Sequence, residues 1–532
     1  MPSRDQTSTS TRTFDAVRGR KKIVLFHPPR QPGQYLTEGR LPLEVLSVAA
    51  LPLEKGYQVV IVDGTVEKDY QERLLSEAAD ALCVGITCIL GWQVYVAGQM
   101  ARAVRRSHPE VPLVWGGWFS TVHTEMALRE GPADIVVRGQ GEIGFMELVE
   151  ALHRGRSPYG LDGISYLAGE EVVNNPERPI ADLNQLPPMP YQLLDFEPYF
   201  KSDTNVRWRS FLARSLGSAA WDLDLRILYY FSSYGCPEPC TFCTSPGVTG
   251  RRWTAIDPER ILDEYQEWSS RVGVNVLQFV DANFTVNPKR IQRFCDEILD
   301  RGLKISWGCF SEVKHVASWS DDLLMKMARS GCYVLFLGAE SASAHSLSLT
   351  RKVFDPGETP AAVVRLRKAG IGSIVSYIAG MPGERLEDIK ATVDQACLCR
   401  TLDPECESVI HAYQPLPGTA MAAEVPEEQQ IFQQKHLDEF RNAPRYTTDL
   451  SHLRFHPRML RRVRWVMNLY FHWGYDIYRM GAPLNPVHRF LGVCARFRVR
   501  RRIYGFPVEF WIFHKLAGLR RRLRGASSSH TT

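Results

Sequence analysis

Three cysteines fall within eight positions of the chain, in the run YGCPEPCTFC: Cys236, Cys240 and Cys243, spaced C-x3-C-x2-C. Thiols packed this closely hold metal, do redox chemistry or form disulfides. A closed zinc site takes four ligands, commonly from two C-x2-C-like pairs, and no second pair lies nearby. Three thiolates suit a 4Fe–4S cluster with one iron left open, because full thiolate ligation takes four. That iron can take a substrate or cofactor. A zinc knuckle and a chance cluster are the competing readings. The other nine cysteines are scattered through apolar or helical text, as at Cys83, Cys88, Cys295, Cys309, Cys332 and Cys397, where a thiol is most often a small buried hydrophobe.

The elements that must position the three thiols form a series. Strands are expected at 225–233, 275–280, 304–309, 333–338, 372–379 and 407–413, with helices at 257–272, 288–302, 320–331, 358–370 and 384–402. Six such repeats imply a partial (β/α)6 parallel barrel, and barrels place their chemistry at the C-terminal ends of the strands. The cysteines follow the first of these strands. An earlier series alternates strands (21–26, 57–64, 81–87, 112–117, 133–139) with helices (42–56 and near 92–108, 122–130 and 141–154). Its apolar, β-branched strands predict an α/β, doubly wound, Rossmann-like domain with a parallel sheet covered on both faces.

Five regions follow: a disordered tail over 1–20, the Rossmann-like domain over 21–155, a linker over 156–222, the barrel over 223–425 and a mostly helical C-terminal domain over 426–532. The linker carries ADLNQLPPMPYQLLDF (181–196), which is expected to lie extended. The last region is rich in arginine and aromatics. Its basic runs RFRVRRR (496–502) and RRRLR (520–524) read first as solvated helix surface and second as contact with an acidic partner or substrate. Tyr470, Phe471, Trp473, Tyr475 and Tyr478 read as a helix-packing block, with a substrate wall as the other reading.

At 532 residues the chain has room for about three domains, and a 44% hydrophobic content supplies their cores. A net charge of +5 argues against nucleic-acid binding by the chain as a whole. No run of about 18 apolar residues suggests a membrane span. The N-terminus lacks a secretory h-region, so a cytoplasmic location is expected. In that reducing compartment a metal or catalytic role outranks a disulfide for the cysteine cluster.

The motif C-x3-C-x-aromatic-C, with Phe242 as the aromatic, resembles the signature of the radical S-adenosylmethionine (SAM) superfamily. Further segments of 225–422 resemble that superfamily's barrel in the right order: FVDANFTVN (279–287), LGAESAS (337–343), YIAGMPGE (377–384) and YQPLPGTAM (413–421). The resemblance implies a 4Fe–4S cluster on Cys236, Cys240 and Cys243. It implies SAM contacts from Phe242, Asp281, Glu340 and the turn of Gly380, Pro382 and Gly383, with Asn283 also at the cavity.

Residues 21–155 are similar to the cobalamin-binding domain of the cobalamin-dependent radical SAM class. The matching text is KIVLFHPPR (22–30), LPLEVLSVAA (41–50), VVIVDG (59–64), VGITC (84–88), VWGGWFSTVH (114–123) and DIVVRGQGE (134–142). Many cobalamin domains carry D-x-H-x-x-G, whose histidine ligates cobalt. The equivalent text here, DGTVEK (63–68), has none, which implies cobalamin held without a histidine ligand. Thr87, Gly116 and Gly117 are expected along its tail, with Leu90 or Trp92 shielding the lower cobalt face. His27 and His123 are read as hydrogen-bonded surface residues before ligands.

The resemblance implies a C-methyltransferase. One SAM methylates cobalamin, a second yields a 5′-deoxyadenosyl radical, and a substrate carbon receives methyl from methylcobalamin. The corrin's upper face would then look into the barrel mouth. The substrate is expected to be a small molecule of secondary metabolism, as in antibiotic biosynthesis. The electron donor is expected to be a flavodoxin or ferredoxin, the protein a monomer, and nucleic acid no partner. Two alternatives stand: an oxidative cyclase or rearrangement enzyme of the same architecture, and a cobalamin sensor or structural metal module.

Overall fold

The computed structural model describes residues 11–30, 40–89, 91–201, 205–425, 436–442, 457–479, 485–513 and 515. Two compact units divide the chain. The first gathers residues from 1–205, 225–305 and 414–445, and the second residues from 206–224, 306–413 and 446–532.

In the first unit a seven-stranded sheet runs β2-β1-β3-β4-β5-β6-β7. Its parallel part is β1 (Lys22–His27), β2 (Gln58–Asp63), β3 (Cys83–Thr87), β4 (Leu113–Gly116) and β5 (Ile135–Val137). These strands are short, β-branched runs buried on both faces, as a helix-covered parallel sheet requires. The helices are α1 (Leu43–Glu54), α2 (Tyr70–Ala78), α3 (Trp92–Ser107), α4 (Gly117–Val122), α5 (Thr124–Arg129) and α6 (Glu142–His153). The core joins Val24, Phe26, Ile86, Val94, Trp115 and Phe119. Because β2 and β3 flank β1 on opposite sides, the chain reverses its winding there. Such a switch point leaves a crevice at the strands' C-terminal ends.

Helix α2 has no counterpart in the sequence reading. It is nine residues long and buries only Leu74 and Ala78. Residues 156–222, read as a connection, contain the antiparallel hairpin of β6 (Ile164–Ala168) and β7 (Glu171–Asn174), which extends the sheet from β5. Its turn uses Gly169 at φ +63°, a conformation suited to a two-residue hairpin turn. Of the N-terminal tail, residues 15–17 form a single 3-10 turn, and residues 1–10 lie outside the described residues.

The same unit carries the start of the second series. β8 (Ile227–Tyr230) pairs parallel with β11 (Val276–Phe279), while β9 (Ser233–Gly235) and β10 (Trp253–Ala255) make a small antiparallel ribbon. Helices Pro258–Val272 and Pro288–Asp300 follow, the latter capped by the Asn287 side chain.

The second unit continues the βα alternation with four parallel strands: β12 (Ser306–Glu312), β13 (Cys332–Glu340), β14 (Gly372–Ala379) and β15 (Glu407–Ala412). Helices Asp321–Arg329, Glu358–Ala369 and Leu386–Leu402 accompany them. The C-terminal part is helical over Pro457–Arg479 and Pro486–Arg500, with a π-helical stretch at Val466–Asp476. Tyr470, Phe471 and Tyr475 are buried there, while Tyr478 is exposed. Buried Arg400 lies 4.9 Å from the Phe471 ring centroid and forms an ion pair with Asp476 at 2.8 Å. The aromatic block therefore packs helix against helix. The run RRRLR (520–524) lies outside the described residues.

Candidate functional site

A cavity of ≈ 550 Å³ lies in the first unit. One wall is the C-terminal edge of the doubly wound sheet, with Thr87, Gly116 and Gly117. Another is the segment that carries the cysteines, with Tyr234, Gly235, Thr244 and Ser245. Gly117 has φ +84°, and a Cβ there would stand 2.5 Å from Thr87 Oγ1. At Gly85, in mid-β3, a Cβ would stand 2.7 Å from Leu25 Cδ2. Both glycines keep room at the sheet that a side chain would take.

The cavity is mostly apolar, with a few convergent polar groups. Glu142 Oε1 accepts from the Ser47 hydroxyl, whereas Glu142 Oε2, Trp118 Nε1 and Ser233 Oγ are buried without a hydrogen-bond partner. Burial pushes the Glu142 carboxyl up, against the Ser47 hydrogen bond that lowers it. Buried polar atoms are nearly always satisfied in folded proteins, so orphans around an apolar cavity mark a ligand site. They fit a large ligand with apolar ring edges and many amide arms, as cobalamin is.

No histidine is among the described residues that line this cavity. His27, expected at the surface, is buried, and its Nδ1 lies 2.9 Å from Asp63. Burial pushes the Asp63 carboxyl up, but His27, the Tyr199 hydroxyl and the Thr65 amide outweigh it and hold the group below its ordinary range. His123 stacks 5.0 Å from Phe119, and burial brings its pKa down to about 4. Trp92 opens α3, with its ring 5.3 Å from Tyr95, and packs on the sheet core instead of lining the cavity. Leu90 lies outside the described residues, and Ile89 is the neighbour that lines the cavity.

The cysteine loop leaves β9 at Gly235. Cys236 and Cys240 are buried and Cys243 is half-buried. The Cys243 amide donates to Cys240 O at 3.3 Å. The Ser245 amide donates to Cys243 Sγ at 3.4 Å. Among the described residues no three His, Cys, Asp or Glu side chains converge as the ligands of one ion would. A cubane does not ask for that, because each thiolate binds its own iron. Three thiols on one short loop therefore fit such a cluster. Phe242 is half-buried between the second and third cysteines. The Met421 amide donates to Thr241 O at 2.9 Å, tying the 413–421 segment to the loop.

Asp281 sits beneath this loop. Its Oδ1 accepts from the Ser232 and Ser233 amides at 2.7 and 2.8 Å, and its Oδ2 from the Ser232 hydroxyl at 2.6 Å. Burial pushes the carboxyl up, against Arg290 and these hydrogen bonds. Both oxygens thus hold the exit of β8, and Asp281 acts through the loop it positions. Asn283 Oδ1 accepts from the Thr285 amide at 3.1 Å, leaving its buried Nδ2 without a partner.

In the second unit Glu340 ends β13 at φ +58°, just after a register shift. This backbone region is costly for a side chain that is not glycine, and such residues gather at functional sites. Its Oε1 lies 3.5 Å from Lys352 Nζ, and Lys352 also pairs with Glu312. Burial pushes the Glu340 carboxyl up to about 7, with Lys352 opposing and Glu312 adding to the rise. Gly380 and Gly383 have φ +87° and +77° on either side of Pro382. Glu384 Oε2 accepts from the Gly380 and Met381 amides at 2.5 and 3.2 Å, bracing that turn. Lys352, Glu312, Glu384 and Glu142 were not singled out from sequence. Of these, only Glu384 and Glu142 stand inside motifs that could have pointed to them.

Comparison with known proteins gives three kinds of match. The B12 binding domain family matches residues 41–149, and the Radical SAM superfamily matches residues 230–396. An uncharacterised methyltransferase of Pyrococcus horikoshii is 31% identical over 410 residues, covering 75% of this chain and 82% of that protein. The anaerobic magnesium-protoporphyrin IX monomethyl ester cyclase of Rubrivivax gelatinosus is 25% identical over 421 residues, covering 77% and 71%. Among solved structures, the radical SAM methyltransferase TsrM of Kitasatospora setae, with cobalamin and a [4Fe-4S] cluster bound, aligns with TM-score 0.60 at 18% identity. That alignment covers 79% of this chain and 81% of the other.

Proposed function

The chain belongs to the radical SAM enzymes that carry a B12-binding domain, and we propose that within this family it transfers a methyl group to an unactivated carbon of a small molecule. Its cofactors are a 4Fe–4S cluster, SAM and cobalamin. When bound, they supply a carbon-centred radical from SAM and a carrier for a methyl group, so the hard chemistry is theirs. The chain's own residues bind, orient and shield. Cys236, Cys240 and Cys243 would hold the cluster, and Asp281 would fix the strand exit before them. Thr87, Gly116 and Gly117 would flank cobalamin. Phe242, Glu340 and the turn of Gly380, Pro382 and Gly383 would receive SAM.

The observation that carries this reading is the shared cavity. Its walls come from the B12-binding sheet and from the segment around the cluster cysteines, as two cofactors acting on one substrate would require. The similarity to a methyltransferase at 31% identity supports methyl transfer. The similarity to a cyclase at 25% identity favours a second reading, ring formation without net methylation. Secondary metabolism is our reading of the substrate's origin, with a flavodoxin or ferredoxin as electron donor to a cytoplasmic monomer.

Product accounting separates the two. The chain is reconstituted anaerobically with iron, sulfide and hydroxocobalamin, then supplied with SAM, a reductant and a small-molecule extract of its host. Methyl transfer yields S-adenosylhomocysteine and 5′-deoxyadenosine in similar amounts. 5′-deoxyadenosine with no substrate-dependent S-adenosylhomocysteine would support the cyclase.

A further inference from the structure

Exposed apolar side chains are concentrated in one stretch of the second unit. Of 17 large hydrophobic residues exposed among the described residues, nine fall between Val487 and Ile512. Helix Pro486–Arg500 shows why. Leu491, Ala495 and Val499 recur every four residues and are buried. Val487, Phe490, Val493 and Phe497, at spacings of three and four, lie on another face and stay exposed, with Phe490 at 61%. Phe506 and Trp511 add two more exposed rings. A contiguous apolar face on a soluble unit marks an interaction surface, whereas scattered exposed residues need no explanation.

The charge around this face is one-sided. The described residues of 485–515 hold seven Lys and Arg against a single acid, Glu509, in a chain whose net charge is only +5. Glu509 is already bonded to Arg498 at 2.8 Å. Arg489, Arg500 and Arg501 are exposed and make no ion pair with a described residue. By helical spacing, Arg489 and Arg500 border the apolar stripe. A second copy docked by this face through a two-fold axis would set like charges against each other. Nucleic acid would use the arginines and leave the aliphatic and aromatic groups without a partner.

We propose that this face docks on an anionic bilayer. Its aromatic and aliphatic side chains would enter the interfacial layer while the flanking arginines meet lipid phosphates. Apolar burial joined to basic flanks is the arrangement of helices that lie on membranes. No helix of the described residues is long and apolar enough to cross one.

The test is co-sedimentation of the full reconstituted chain with phosphatidylcholine vesicles, with and without phosphatidylglycerol. The chain should favour the anionic vesicles by about tenfold or more, with salt weakening the binding. Phe490→Ser/Phe497→Ser/Trp511→Ser and, separately, Arg489→Ser/Arg500→Ser/Arg501→Ser should each lower it about tenfold. Both variants should cleave SAM at the wild-type rate, which shows that they fold. Three results overturn the proposal: no binding to anionic vesicles, binding unaffected by the apolar variant, or a dimer in sedimentation velocity that the apolar variant dissolves. Duplex DNA that binds the wild type and the apolar variant equally, with vesicles left unbound, would assign the arginines to nucleic acid instead.

Discussion

Lys352 Nζ lies 3.5 Å from Glu340 Oε1 and also pairs with Glu312, so one buried cation serves two buried carboxylates. Glu340 carries this partnership at a positive φ, at the end of a strand. The backbone at the strand end re-aims this acid, and the Lys352 cation opposes the rise in its pKa that burial brings.

Removing the cation should therefore cost stability and SAM affinity together. Lys352→Met leaves two buried carboxylates facing each other, and breaking a buried pair in this way costs about 3–5 kcal/mol. Urea denaturation and equilibrium dialysis of SAM measure the two effects. Wild-type SAM affinity in a folded Lys352→Met protein would remove Lys352 from the site.

The same carboxyl makes stability and binding respond oppositely to pH. Burial holds Glu340 at about 7 in the folded protein, above the ordinary value near 4.3 for an unfolded glutamate. The folded state then binds more protons than the unfolded one between these values. The Glu340 contribution is fully present below about pH 4.3 and is lost as pH rises through about 7. SAM binding, if it uses the ionised acid, should tighten over the upper part of that window. Glu340→Gln should flatten the SAM profile and remove this share of the pH-dependent stability. A profile identical to wild type would assign the titration elsewhere.

Each cluster cysteine should be indispensable. Alanine at Cys236, Cys240 or Cys243 should lower iron content after anaerobic reconstitution and abolish 5′-deoxyadenosine formation. Cleavage of SAM at the wild-type rate in any one of the three variants would refute the three-thiolate cluster.

Cobalamin should bind without a histidine on cobalt. His27 is engaged with Asp63, His123 is half-buried beside the Phe119 and Phe440 rings, and neither lines the cavity. Electron paramagnetic resonance of the Co(II) state should show no nitrogen superhyperfine coupling from the protein. Such coupling, lost in His27→Ala or His123→Ala, would reverse this assignment.

How far these features could be read in the sequence depended on how local their causes are. The cysteine loop was legible because its spacing is a contiguous signal, and the parallel strands because β-branched runs such as VVIVD must be buried. Helix α2 was not, although Leu74, Leu75 and Ala78 stand at helical spacing, because nine residues with few apolar side chains give only a short signal. The β6–β7 hairpin was passed over beside its proline-rich neighbour. Trp92 could face the cavity or the core, and only packing against Tyr95 decided it. His27 looked like a surface residue until Asp63, 36 positions away in sequence, was seen beside it. Lys352 gave no signal, because its partners Glu312 and Glu340 meet it only through the fold of β12 and β13.

In the proposed reaction a methyl group from SAM ends on a substrate carbon. The most direct measurement supplies the reconstituted chain with SAM bearing a fully deuterated methyl group and with a small-molecule extract of its host, and follows products by mass spectrometry and carbon NMR. The expected product carries the intact labelled methyl on carbon and forms together with 5′-deoxyadenosine. A substrate-dependent product formed with 5′-deoxyadenosine but without the label would contradict the proposed reaction.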